Sequence, residues 1–252
     1  MSAHPEIAAW HSKLAVVSLV ILLAWETLRP FFPFFVGGRD QWLKRGRHGL
    51  INLAIGIVNA LVTGVIFSKV WLSATTWAAE NNLGILRWIH LPVWTQWVAA
   101  VLMLDAWTYF WHRLNHVVPF FWQFHKFHHV DRSMDVTTAS RFHAVEIIFS
   151  SILRVPILLL IGCAIEQLAL YELFLFGVVQ FHHANVALPE RIDRSLRMVI
   201  VTPFIHKVHH SVAVTERDSN YSSLFSWWDR LFRTFRRSRD PRKITFGVEP
   251  LK

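Results

Sequence analysis

Five apolar runs, at about Leu14–Leu28, Leu50–Leu72, Val93–Trp111, Ile147–Cys163 and Leu168–Phe181, limit what this chain can become. Inside a bilayer every backbone N–H and C=O must be satisfied within the protein, so such runs become helices. A spanning helix needs about 20 mostly apolar residues. The second and third runs reach that length, and the first does when extended at its N-terminal end. Arg154 and Pro156 interrupt the fourth, and only Ala164–Gln167 separates it from the fifth. These two read as a helical hairpin, tilted or partly spanning. Arg154 should face protein or an acidic partner rather than lipid. The first run lacks a basic leader and a small-x-small cleavage site, so it reads as a retained membrane helix. Composition agrees: 53% of residues are hydrophobic and 17% charged, against about 25% charged in soluble domains. The expected fold is an all-α integral membrane protein of about four to five membrane helices, hairpin included.

Loop charge sets a direction. Arg39, Lys44, Arg45 and Arg47 follow the first run, whereas Arg87 and the flanking Lys69 lie between the second and third. Basic loops stay in the cytoplasm, so the N-terminus is expected outside. Residues 112–146 and 182–252 then share the cytoplasmic side. The formal charge of +9 comes from loops and the tail rather than from cations interleaved with exposed aromatics. That excludes nucleic acid and points to anionic headgroups and an acidic protein partner. The single cysteine, Cys163, excludes an intrachain disulfide.

Three histidine clusters fall on that cytoplasmic side: His112-x3-His116, His125-x2-His128-His129 and His206-x2-His209-His210. On a helix, positions i, i+3 and i+4 share a face, so each cluster is expected to converge as one set. Pro119 breaks the helix between the first two, which lets them face each other. Imidazole suits Zn, Cu, Fe and Ni, and eight histidines in three groups suggest two metals. His143 and His183, at the two ends of the hairpin, are two further candidate ligands. Asp105, two turns before His112, is placed to accept an imidazole N–H. Isolated His4, His11, His48 and His90 read as structural.

At these residues the chain resembles the fatty acid hydroxylase superfamily, which contains sterol desaturases. The resemblance covers about residues 98–236 and includes Thr138–His143, His183-Ala184-Asn185, Asn220-Tyr221 and Trp228–Phe232. Ala144 stands where many relatives have proline, and Arg233 where a glycine usually follows the Leu-Phe pair. The resemblance implies membrane helices in 1–97, a catalytic domain in 98–236 with a cytoplasmic histidine-rich helical cap, and a basic tail in 237–252. It implies two Fe, with O2 as co-substrate, held by His112, His116, His125, His128, His129, His143, His183, His206, His209 and His210. The activity implied is hydroxylation or desaturation of an unactivated lipid C–H position. Asp105, Glu146, Asn185, Asp218 and Asp229 are expected to orient ligand rings or anchor loops.

The chemistry consumes electrons, and no dinucleotide fingerprint or cysteine-ligated cluster supplies them. An external donor such as cytochrome b5 or a ferredoxin with its reductase is implied. Its acidic face would meet Arg233, Arg236, Arg237, Arg239, Arg242 and Lys243. Trp107, Phe110, Trp111, Phe120, Phe121, Trp122 and Phe124 surround the first two clusters, either as a tunnel lining or as an interfacial belt. A bacterial inner membrane suits a short chain without a fused cytochrome. A metal-handling protein without oxygenase activity is the alternative, but transporters place ligands near the bilayer midplane. A bis-histidine haem protein needs single facing histidines, and a pseudoenzyme would not need all eight.

Overall fold

The computed structural model describes residues 4–238 and 240–248, with side chains from residue 13 onward. The side chains of His4 and His11, Arg239, and residues 249–252 of the tail lie outside the described residues. The helices in chain order are α1 (His4–Leu28), α2 (Arg39–Val62), α3 (Ser68–Glu80), α4 (Ile85–Trp88), α5 (Val93–Val117), α6 (Pro119–His129), α7 (Ala144–Ile161), α8 (Ile165–His183), α9 (Glu190–Leu196), α10 (Pro203–His209), α11 (Val214–Arg217) and α12 (Trp227–Leu231). A π-helical turn, Thr63–Phe67, joins α2 to α3, and a 3₁₀ turn, Val136–Ser140, precedes α7. Among the described residues there is no β-strand beyond isolated bridges.

Among the described residues, two stretches are long and apolar enough to cross a membrane: Arg39–Trp88, and α7. Only 17% and 22% of their apolar windows are buried, so neither is the core helix of a soluble protein. Their outward side chains, such as Leu50, Ile57, Leu61, Val65 and Ile152, present a surface suited to lipid rather than water. This differs from expectation in three places. α8, with 19 residues, is not among these stretches. Nor is α5, with 25. Its Trp, Gln, Asp and His residues lower its hydropathy. α7 runs unbroken through Pro156. A lost N–H is tolerated where neighbouring helices enclose the backbone, and Arg154 is neutralised by Glu172 while its guanidinium lies 4.6 Å above the Trp71 ring.

The turn between α7 and α8 is set by two glycines. Gly162 (φ +72°) abuts Gly84 (φ +111°), and a Cβ on Gly162 would sit 2.6 Å from the Leu83 carbonyl oxygen. Beyond that turn α7 and α8 diverge: α7 packs on α3, and α8 packs on α1, α5 and α10. A core of Trp71, Leu86, Ala100, Leu104, Leu158, Ile161, Leu168 and Tyr171 forms where α3, α5, α7 and α8 meet. Above it α5, α6, α8 and α10 bring their histidine-bearing ends together.

Candidate metal centre

Proline starts two of the histidine-bearing helices. Val118, extended at φ −100°, ψ 113°, ends α5, and Pro119 opens α6 with a ring already fixed for the first helical turn. The reversal brings the α5 and α6 rings together, with His112 and His116 at 5.0 Å and 4.9 Å from His125 between centroids. Pro203 opens α10 in the same way.

The imidazoles form two groups. His112, His116, His125, His129 and His209 form one, and His128, His183, His206 and His210 the other. Within each, the candidate ligand nitrogens lie within 4.8 Å of one another. Each His-x2-His-His box is therefore divided between the groups, where convergence as one set was expected. Neighbouring positions on a helix differ by about 100°, so His128 and His129 aim into different groups, as do His209 and His210. The stacked rings of His129 and His210, 4.3 Å apart, form the partition between them.

The outer ring nitrogens explain the inward aim. His112 Nδ1 donates to the Tyr221 carbonyl at 2.8 Å, His209 Nδ1 to Ser219 at 2.7 Å, His128 Nδ1 to Arg141 at 3.1 Å and His183 Nδ1 to Val179 at 2.7 Å. His125 Nδ1 lies 2.8 Å from Glu146 Oε1, and His116 Nδ1 lies 3.4 Å from Asp218 Oδ1. A carbonyl can only accept, so these Nδ1 atoms carry the proton and the Nε2 lone pairs face inward. His128 and His183 both have this tautomer fixed, yet their Nε2 atoms stand 3.0 Å apart. Two lone pairs cannot bond each other at that distance. A cation held by both would resolve the contact, because each lone pair would then face the ion. His206 repeats the spacing, at 3.1 Å from both His183 and His210. Nε2 of His116 and of His209 has no other partner. The donor set fits metal ions that accept imidazole, two of them.

Burial keeps these rings neutral. The imidazoles of His128, His129, His206, His209 and His210 are held well below the ordinary histidine range, first by desolvation and then by one another. Lys207, buried between two ligands, is pushed down to about 7 by desolvation and donates to the Ala184 carbonyl at 2.6 Å.

The remaining expected residues are spread out. His143 enters neither group. It caps α7 instead, its Nδ1 accepting from the Val145 N–H at 3.2 Å. Asp105 reaches no imidazole; two turns below His112, it accepts from Trp228 Nε1 at 2.8 Å and the Phe225 N–H at 3.0 Å. Asn185 pins the Phe32 backbone in both directions. Asp229 is fully buried, with its carboxyl pushed up by desolvation. It accepts from the Tyr221 and Ser222 N–H groups and from Thr234, which fixes the loop that offers its carbonyls to His112 and His209. His182 was passed over by sequence reasoning: it is buried and stacks on His206 at 3.8 Å. Its place beside His183 was the available signal. Backbone carbonyls as imidazole acceptors leave no residue-type signal.

The sequence model of the fatty acid hydroxylase family matches residues 97–234, more than half of the 252. The chain belongs to the fatty acid hydroxylase family. It is 26% identical over 228 residues to alkylglycerol monooxygenase of Homo sapiens, covering 84% of this chain and 48% of that protein. Against alkylglycerol monooxygenase of Danio rerio the identity is 28% over 216 residues, covering 82% and 46%. Against ornithine lipid hydroxylase OlsE of Rhizobium tropici it is 22% over 247 residues, covering 95% and 71%. The chain thus spans about half the length of the alkylglycerol monooxygenases it matches. No solved structure matches.

All nine grouped histidines lie inside the fatty acid hydroxylase match. The chain's two departures from the family pattern have physical readings. Arg233 adopts φ +59°, the left-handed conformation that a glycine takes without cost. Ala144 is the first residue of α7, where proline is favoured.

Proposed function

We propose that this protein is a membrane-bound di-iron oxygenase that hydroxylates an unactivated C–H position of a lipid. The carrying observation is the pair of tautomer-fixed imidazoles, His128 and His183, whose lone pairs meet at 3.0 Å within a nine-histidine double group. Two Fe ions bound there would supply the activation of O2. His112, His116, His125, His129 and His209 would hold one, and His128, His183, His206 and His210 the other. Glu146 and the carbonyls of Arg141, Val179, Ser219 and Tyr221 would keep the rings of His125, His128, His183, His209 and His112 presenting Nε2. The buried site excludes bulk water, which protects the oxidant from side reactions.

Relatives that are a monooxygenase and a hydroxylase acting on lipids support oxygen insertion over desaturation. We take residues 98–236 as the catalytic unit, 1–97 as its membrane anchor and 237–252 as a basic tail. We place the histidines and C-terminus in the cytoplasm, the N-terminus outside, and the protein in a bacterial inner membrane. An external cytochrome b5 or ferredoxin would deliver the electrons.

The test is purification with native metal, followed by reaction with 18O2, reductant and a membrane lipid extract. About two Fe per chain and an 18O-labelled alcohol are expected. An unlabelled alkene would shift the reading to desaturation. Fewer than about two metals per chain, or full metal retention in His128→Ala and His209→Ala, would sink the dinuclear reading, and metal without any lipid product would favour a metal-handling protein. A C-terminal topology reporter that reads extracytoplasmic would reverse the orientation.

A further inference from the structure

The proposed reaction needs electrons, and an external donor would pass them from the surface to the buried histidines. Among the described residues, three aromatic side chains touch the rings of the five-histidine group: Tyr221, Phe142 and Trp122. Tyr221 is buried and packs inward on Tyr109. Phe142 lies against the other group, stacked on His128 at 4.3 Å. Trp122 differs. Its indole lies 5.1 Å from His116 and 5.5 Å from His129, and it is half-buried. Its outer face is covered by Arg217, whose guanidinium carbon is 4.5 Å from the ring centroid.

The polar path beside it runs the same way. Arg217 Nε donates to Asp218 Oδ1 at 3.3 Å, and that oxygen is 3.4 Å from His116 Nδ1. Lys126 stands one turn beyond Trp122 on α6, hence on the same face. Arg237 of the basic tail instead pairs with Glu190 at the start of α9.

We infer that Trp122 is where electrons enter the five-histidine centre, and that the surface around it, marked by Arg217 and Lys126, receives a one-electron carrier protein with an acidic face. The inference rests on the di-iron reading. Each encounter oxidises the carrier by one electron and reduces the centre by one, and no bond is made or broken. Two encounters supply the two electrons that, with two protons, convert the second oxygen atom of O2 to water when the first enters the lipid. Complementary charge sets the encounter rate and the register of docking. The indole provides the through-ring step between the surface and His116.

Iron is counted first, because a chain without metal overturns the di-iron reading itself. Metal-loaded wild type, Trp122→Leu and Trp122→Phe are then mixed anaerobically with a reduced cytochrome b5 domain, a reduced plant-type ferredoxin, or dithionite. At least one carrier should reduce wild type in a fast phase. That phase should be lost in Trp122→Leu and partly restored in Trp122→Phe, with dithionite reduction the same in all three. A Trp122→Leu variant reduced by the carrier as fast as wild type overturns the inference. So does wild type reduced by dithionite and by neither carrier. Carrier binding to the metal-free protein gives a separate readout, which also decides the matter should Trp122→Leu fail to hold metal. Arg217→Glu should weaken binding about tenfold at low salt, while Arg236→Glu leaves it unchanged; the reverse pattern moves docking to the tail and overturns the assignment.

Discussion

Glu146 shows what one side chain contributes beyond holding an ion. Its Oε1 sits 2.8 Å from His125 Nδ1, and both groups are buried. The contact fixes which nitrogen carries the proton, and so which lone pair is free. Glu146→Ala should lower metal affinity roughly 10- to 100-fold, read as metal content after dialysis against a graded chelator. Glu146→Gln should retain most of it, because the amide oxygen still accepts from Nδ1–H. A tenth histidine is separated from the nine by the same reasoning. His143 spends its Nδ1 lone pair on the Val145 N–H. His143→Ala should therefore keep full metal content while losing about 1 kcal/mol of α7 capping, seen as a lower Tm; His128→Ala should lose metal. The sequence placed His143 just before the fourth apolar run, but i, i+3, i+4 spacing carries no information on a lone residue's direction. For the boxes the same spacing picked out the histidines that come together yet missed their division, because the helix phase difference between His128 and His129 assigns them to opposite groups.

At the scale of elements, α7 was the least legible. Arg154 and Pro156 read as an interruption, yet its partners, Glu172 and Trp71, come from α8 and α3 and are invisible to a local reading. The turn that follows depends on contact more distant still. Gly162 adopts φ +72°, and an added Cβ would stand 2.6 Å from the Leu83 oxygen. Gly162→Ala then combines left-handed backbone strain of about 1–2 kcal/mol with a clash against backbone that cannot rotate away. The expected outcome is a Tm several degrees lower in detergent, with metal content preserved in the fraction that folds. A Tm equal to wild type would mean that the α3–α4 loop and the α7–α8 turn do not approach closely. α5 was legible in extent and in its break at Pro119, since a proline after a β-branched residue is a local signal. Its run reads as more apolar than its hydropathy, because aromatic residues count as apolar in a run although indole and phenol are amphipathic.

For the whole molecule, the nine grouped histidines share one buried region, so protons act on them together. Burial holds His128, His129, His206, His209 and His210 well below the usual histidine range. In the unfolded chain the same residues take protons near pH 6.5. The sign follows: above that value both states are neutral and pH has no leverage through these groups. Below it the unfolded chain binds protons that the folded metal-free chain refuses, so stability falls as pH falls. Each imidazole that stays neutral contributes a slope of up to about 1.4 kcal/mol per pH unit. Metal-free protein should therefore lose Tm steadily between about pH 6.5 and 5. The metal-loaded protein should retain its ions through pH 6, where a solvent-exposed histidine cluster already releases them, because protons compete only below the depressed values. Parallel titrations of iron content and of helical circular dichroism separate the cases. Metal leaving near pH 6.5 while the helices remain intact would show that the rings titrate as solvated groups, and would remove burial as the reason they stand ready as ligands.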